Sequence, residues 1–111
     1  MKLIGSFRSP FVRRVAVTMK FFGMPNEHFN VPVFDNPDDV NNYNPLARVP
    51  TLVLDDGEVL IESYAMIDAL DEMAGPEKAL IPASGKERRH VMRITAAAVG
   101  TMDKAQWAAY E

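Results

Sequence analysis

An acidic residue and a serine stand side by side at the end of a predicted hairpin. Glu62 and Ser63 follow an apolar run and precede a helical pattern, which places them at a helix start. Two interpretations fit. Ser63 can simply cap the helix, with the neighbouring carboxylate favouring the helix dipole. Alternatively, Ser63 and the helix N–H groups receive a carboxylate while Glu62 receives an ammonium, so that the pair grips an amino-acid head group.

A proline opens the other end of the same hairpin. Pro50 precedes the first of its two apolar runs. A trans proline is tolerated at the start of an edge strand, because its missing N–H can face outward. A cis bond would instead turn the backbone N–H and C=O of Val49 out of the sheet edge, where an extended peptide could pair with them. Only the cis alternative would make the Val49 backbone available to a bound peptide.

A third polar residue precedes the first predicted helix. Ser9 stands directly before Pro10, which is a favoured residue at the first helical position. The serine is either an ordinary cap or a hydroxyl placed at the positive end of a largely buried helix. A thiolate bound there would gain both a hydrogen bond and the helix dipole.

The elements that must position these residues follow from periodicity and turn signals. The pattern predicts a first strand, a helix, a second strand, a polar segment that holds at most one short helix, a hairpin, and a further helix. The corresponding ranges are Lys2–Phe7, Phe11–Phe22, His28–Val33, 35–45, Thr51–Leu54 with Glu58–Ile61, and Tyr64–Met73. A helical crossover makes the first two strands parallel. The order βα-βα-ββα predicts an α/β sandwich that is complete by about residue 76.

The end of the sequence follows a different pattern. Residues 77–85 form a linker, and residues 86–111 predict one long helix. Its predicted packing stripe, with three- and four-residue spacing, consists of Val91, Ile94, Ala98, Met102, Ala105 and Ala109. A lone amphipathic helix normally packs on other helices. We therefore expect the 111-residue chain to be part of a longer protein and to self-associate, by exchange of this helix.

Composition excludes several classes of function. A formal net charge of -3 argues against a nucleic-acid binder held by phosphate contacts. The absence of cysteine excludes disulfides, zinc–thiolate sites and a cysteine nucleophile. His28 and His90 lack the spacing of metal ligands, so no metal is predicted. No apolar run has the length of a membrane span and no signal peptide begins the chain, which predicts a cytoplasmic protein without membrane contact.

Three motifs, in order, carry a resemblance to a known family. They are "SPFVRRV" at 9–15, "NPLARVPTL" at 44–52 and "ESYAMIDAL" at 62–70. With these motifs the sequence resembles the cytosolic glutathione transferases, and in particular their serine-type bacterial and plant members. The resemblance implies a thioredoxin-like N-terminal domain over residues 1–76, with the topology βαβαββα. Residues 86–111 would then be the first helix of a truncated all-helical C-terminal domain.

The resemblance implies how glutathione would be bound. In the family, the proline matching Pro50 is cis, and the backbone matching Val49 pairs with the cysteinyl part of glutathione. The pair matching Glu62 and Ser63 holds the γ-glutamyl group. The basic residue before Val-Pro, here Arg48, lies near the glycyl end.

The resemblance also implies a catalytic residue. In serine-type members the hydroxyl matching Ser9 stabilises the thiolate of glutathione. Tyrosine-type members place their hydroxyl in the first strand, where this sequence has Phe7, although Ser6 lies next to it. The choice between Ser9 and Ser6 stays open, and Ser9 is the predicted catalytic residue.

The predicted function is that of a glutathione transferase. Glutathione is its co-substrate, a small-molecule electrophile is its second substrate, and detoxification is its role. The full-length protein is expected to be a homodimer, and the short chain is expected to conjugate poorly. The alternative is a non-catalytic binding or regulatory module with the same fold. A redox thioredoxin or glutaredoxin is opposed by the absence of cysteine.

Overall fold

A computed structural model describes residues 1–30 and 49–110. This part of the chain contains four strands and three helices. The strands are β1 (Lys2–Ile4), β2 (Glu27–Phe29), β3 (Thr51–Val53) and β4 (Val59–Ile61), and the helices are α1 (Pro10–Phe21), α2 (Ser63–Ala74) and α3 (Gly85–Tyr110). The short helix allowed between the second strand and the hairpin lies outside the described residues.

The strands form one mixed sheet in the order β2-β1-β3-β4. β1 and β2 are parallel and are joined through α1, whereas β1 with β3 and β3 with β4 are antiparallel. This arrangement confirms the predicted α/β class and its thioredoxin-like topology. The parallel unit and the hairpin share one sheet because β1 pairs with both of them.

The first strand is shorter than predicted. It ends at Ile4 rather than at Phe7. Gly5, with a φ of 139°, donates its N–H to the Phe29 carbonyl of β2 at 2.9 Å, and the chain bends away from the sheet there. A turn follows, in which the Ser9 N–H donates to the Ser6 carbonyl at 3.1 Å. β2 begins at Glu27, one residue earlier than predicted, and its predicted end at Val33 lies outside the described residues.

The core lies where α1 and α2 pack together on the sheet. Its members are fully buried and come from two strands and two helices: Leu3, Val12, Val15, Met19, Leu52, Met66 and Leu70. The three- and four-residue spacing of Met66, Leu70 and Met73 predicts one packing stripe on α2. The prediction is right for Met66 and Leu70, but wrong for Met73, whose exposed fraction is 46%. The outer face of α1 leaves Val17 and Phe21 exposed, so less of this helix is covered than its apolar pattern predicts.

A buried carboxylate ties the segment after α2 to the domain. Asp71 is 6% exposed, and its two carboxylate oxygens accept from the backbone N–H groups of Leu80 at 2.6 Å and Ile81 at 3.1 Å. Further along, Arg88 donates to the Pro82 carbonyl at 3.1 Å. These contacts hold the predicted linker against α2 and set the direction in which α3 leaves.

The face that α3 turns inward agrees with the predicted stripe at Val91 and Met102 and differs from it elsewhere. Its half-buried positions include Arg88, Val91, Thr95, Val99, Met102 and Gln106, whereas the exposed ones include Ile94, Ala98, Ala105 and Ala109. Arg88 lies on this face and contacts the Pro82 carbonyl and Asp68, the latter at 3.6 Å. Among the helices described, none combines the length and the apolar character needed to cross a bilayer.

Candidate active site

Two of the singled-out positions, Pro50 and Glu62, meet a glycine at one end of the sheet. The register pairs Thr51 of β3 with the last residues of both β1 and β4. The residues just beyond this row are Gly5 after β1, Pro50 before β3 and Glu62 after β4. Neighbouring strands lie about 4.8 Å apart, so these residues occupy adjacent positions along one edge of the molecule. The topology, rather than any spacing in the sequence, brings them together.

The bond between Val49 and Pro50 is cis, as predicted. Pro50 is buried and Val49 is half-buried. Within the described residues, no hydrogen bond joins the Val49 backbone to another residue. Its N–H and C=O are therefore available to an extended chain that approaches this end of the sheet.

Gly5 allows three segments to approach one another here. A Cβ at this position would lie 2.5 Å from Val12 Cγ2 and 2.9 Å from the Cβ of Val49. The missing side chain thus lets the end of β1, the start of α1 and the cis-proline segment pack in contact. The interpretation of the sequence missed Gly5. A signal was present, since a glycine directly after an apolar strand often marks close backbone approach.

Glu62 carries the sharp turn from β4 into α2. Ile61 ends the strand and Ser63 begins the helix, so a single residue makes the whole change of direction. Glu62 accordingly has a φ of 71°, an uncommon conformation for a residue with a side chain, which costs about 1–3 kcal/mol. It is also the N-cap residue of α2, although its side chain makes no cap hydrogen bond. Of the two interpretations of Ser63, the simple helix cap is therefore not the one that the structure shows.

The Ser63 side chain instead faces α1. Ser63 is 6% exposed, and its Oγ accepts a hydrogen bond from Nη1 of Arg14 at 3.3 Å. Burial lowers the pKa of the Arg14 guanidinium. The group nevertheless stays protonated at neutral pH, because arginine has a very high intrinsic pKa. A positive charge thus lies beside the hydroxyl at the start of α2, and the interpretation of the sequence missed this residue as well.

Ser9 is the N-cap of α1. Its Oγ accepts from the backbone N–H groups of Phe11 at 3.2 Å and Val12 at 3.3 Å, and Pro10 occupies the first helical position. The capping interpretation is confirmed. In this arrangement the oxygen accepts from the helix while its proton remains available to donate, so the cap does not prevent contact with a ligand. Ser6 lies in the same loop, where its Oγ accepts from the Arg8 N–H at 3.2 Å.

The loop that carries both serines is held from two sides. The ring of His28 stacks on Phe7 with centroids 3.9 Å apart, and its Nε2 lies 2.6 Å from the Gly5 carbonyl oxygen. Arg13 donates to the Phe7 carbonyl at 2.8 Å. His28 therefore has a structural role. The sequence analysis considered this residue only as a possible metal ligand and did not predict that role. Within residues 1–30 and 49–110, no cluster of three or more side chains could hold a metal ion.

Arg48, the residue predicted near the glycyl end of glutathione, lies outside the described residues. The same is true of the first part of the second motif, up to the residue before Val49. The structure thus describes five of the six predicted site residues. It brings Val49, Pro50 and Glu62 together with Ser63 at one end of the sheet, and it places Ser9 at the start of the helix that follows β1.

Comparison with known proteins identifies this arrangement. The family model for the glutathione S-transferase N-terminal domain matches residues 3–78. The uncharacterized GST-like protein YibF of Escherichia coli K12 is 34% identical over 103 residues, which is 93% of this chain and 50% of that protein. Maleylacetoacetate isomerase of Pseudomonas aeruginosa is 34% identical over 105 residues, with coverage of 90% and 49%.

Solved structures agree with the sequence matches. A glutathione S-transferase from Methylobacillus flagellatus with glutathione bound superposes with a TM-score of 0.84, at 34% identity, over 94% of this chain and 51% of that one. A zeta-class bacterial maleyl pyruvate isomerase superposes with a TM-score of 0.77, at 35% identity, over 90% and 47%. The chain thus spans about half the length of the relatives it matches. Because the family model covers most of this chain and the fold agrees, the chain belongs to the glutathione S-transferase family, with its thioredoxin-like N-terminal domain in residues 3–78.

Proposed function

We propose that the protein is a glutathione transferase, which binds glutathione at the sheet end and activates its thiol for attack on an electrophile. One observation carries the proposal. The open backbone of Val49, the turn at Glu62 and the buried hydroxyl of Ser63 share one end of the sheet. Solved relatives with glutathione bound support the choice of ligand.

In the proposed complex, glutathione lies as an extended chain along this edge. Its cysteinyl part pairs with the backbone N–H and C=O of Val49, as a strand added to a sheet edge would. Its γ-glutamyl carboxylate is received at the start of α2 by Ser63, where helix N–H groups favour negative charge. Glu62 receives the ammonium of the same group, and Arg48 is assigned to the glycyl end.

The proposed chemistry is activation of the thiol by Ser9. A free thiol has a pKa of about 8.5, so only a few per cent is thiolate at pH 7. The Ser9 hydroxyl keeps its proton and donates a hydrogen bond to the thiolate sulfur, while its oxygen accepts from the first turn of α1. Each unit by which the thiol pKa falls corresponds to about 1.4 kcal/mol, within reach of one charge-assisted hydrogen bond. The thiol proton passes to solvent, and the thiolate sulfur then forms a bond to an electrophilic carbon held next to it. The displaced electron pair leaves with the departing group in a substitution, or moves from the opened double bond to the neighbouring atom in an addition.

The remaining parts of the proposal concern the whole protein. The electrophile is a small molecule whose pocket lies mainly beyond the thioredoxin-like domain. The proposed assembly is a homodimer, and the proposed role is detoxification in the cytoplasm. These assignments rest on membership of the family, together with a sequence that has no cysteine and no membrane-length apolar run.

Calorimetric titration of the 111-residue chain with glutathione tests the binding site. We expect Glu62→Ala and Ser63→Ala each to weaken binding by about 1–3 kcal/mol, the range for a charged partner left unsatisfied. Glu72→Ala, an exposed acidic residue near the other end of α2, is the matched control and should leave affinity unchanged. A parent chain that does not bind millimolar glutathione would refute the proposal. Unchanged affinity of both variants would mean that Glu62 and Ser63 only form the start of α2 and do not bind glutathione.

A further inference from the structure

One cation of α1 has few partners although it is partly removed from water. Arg14 is half-buried, and the Ser63 hydroxyl is its one hydrogen-bond partner among the described residues. No described carboxylate lies within ion-pair distance of it. By contrast, Arg13 is exposed and donates to two backbone carbonyls, and Arg88 pairs with Asp68. Charges that are partly removed from water are usually paired, so Arg14 is set up for an anion.

The direction of its hydrogen bond adds a second argument. Because Arg14 donates to Ser63 Oγ, the hydroxyl oxygen is occupied as an acceptor and its proton points elsewhere. Ser63 is therefore prepared to donate to a ligand oxygen. Arginine has five N–H donors, which leaves further donors on the same guanidinium for a carboxylate. Both effects favour a negative group at the start of α2.

We propose that Arg14 is a positioning and specificity residue of the glutathione site, which orients the Ser63 hydroxyl and supplies positive charge for the α-carboxylate of the γ-glutamyl group. This inference rests on the proposed function. Arg14 would recognise the ligand's carboxylate partly through Ser63, which lies 49 positions later in the sequence. Glu62, next to Ser63, then meets the ammonium of the same zwitterion.

The test compares two ligands that differ only in this carboxylate. Glutathione and 4-aminobutanoyl-cysteinyl-glycine, which keeps the amine and lacks the α-carboxylate, are titrated into the parent chain, Arg14→Gln and Arg14→Lys. We expect the parent to prefer glutathione. Arg14→Gln should weaken glutathione binding about 10- to 100-fold, the effect of losing a hydrogen bond to a charged group. It should change binding of the analogue by no more than about threefold, so that discrimination is lost.

Two controls separate this role from a purely structural one. Arg93→Gln removes an equal charge from an exposed position on α3 and should leave both affinities unchanged. Circular dichroism reports whether each variant is folded. If Arg14→Gln does not fold, Arg14→Lys decides, because an ammonium keeps the charge but loses the fork geometry. The proposal then expects discrimination that is reduced but not abolished, and unchanged discrimination would overturn it.

The possible failures point to different causes. Equal weakening of both ligands by Arg14→Gln would show that Arg14 only supports the fold, which overturns this inference. A parent chain that binds glutathione, together with an Arg14→Gln variant that binds it equally well, would also overturn the inference while leaving the proposed function intact. A parent chain that binds neither ligand would refute the proposed function and this inference with it.

Discussion

Replacement of Gly5 by alanine should destabilise the domain through the close approach that this glycine permits. The new Cβ would lie 2.5 Å from Val12 Cγ2 and 2.9 Å from Val49 Cβ, well inside ordinary contact. Val12 is fully buried and sits in a helix, where a valine has essentially one rotamer, so its methyl group cannot rotate away. Overpacking of this kind costs about 1–3 kcal/mol. The φ of 139° adds about 1–3 kcal/mol for any residue with a side chain.

The two contributions can be measured separately with matched glycines. Gly57 has a φ of 93° and no atom within 4 Å of its virtual Cβ, so Gly57→Ala carries the backbone cost alone. Gly100 lies within α3, also with no atom within 4 Å, so Gly100→Ala should stabilise by about 0.5–1 kcal/mol. We expect Gly5→Ala to lose about 2–6 kcal/mol in total, a large share of the 5–15 kcal/mol typical of a domain.

Urea unfolding followed by far-ultraviolet circular dichroism measures the three free energies of unfolding on the same scale. A second substitution, Val12→Ala, should offset part of the Gly5→Ala loss, because it removes the methyl group that the new Cβ meets. The coupling between the two substitutions should be about 1 kcal/mol or more in the stabilising direction. If Gly5→Ala costs no more than Gly57→Ala, or if the double variant shows no coupling, the packing argument is wrong.

Two further predictions concern the serine loop and the segment after α2. In complexes with glutathione, the absorbance of the thiolate followed against pH measures the pKa of the bound thiol. Ser9→Ala should raise this pKa and Ser6→Ala should not, since only Ser9 caps α1. An effect of Ser6→Ala alone would reverse the assignment. Asp71→Ala should destabilise the chain by about 1–3 kcal/mol in urea unfolding, because two backbone N–H groups then lose their acceptor. Substitution of the exposed Asp68 by alanine on the same helix should cost no more than about 1 kcal/mol.

The local elements could be predicted from the sequence because they depend on neighbouring residues. Ser9 and Pro10 mark a helix start through backbone chemistry that acts within one turn. The Asp-Gly turn defines the hairpin in the same way. The order of these elements predicted a parallel unit and a hairpin in one sheet, and the resemblance carried by three motifs led further, to the cis bond before Pro50.

Tertiary packing alone decided how the site is completed. In the sequence, Ser63 can be either a simple helix cap or part of a binding pair. In the structure, β4 runs into α2 through the single residue Glu62, which is therefore the N-cap residue, and the Ser63 side chain faces Arg14. No periodicity reports such a contact, because it depends on how α1 and α2 lie against each other. Likewise, the contact of Arg88 with the segment after α2 joins residues that no periodicity relates. The sequence by itself determined the elements and the family, whereas contacts between distant segments determined which donors and charges surround the candidate site.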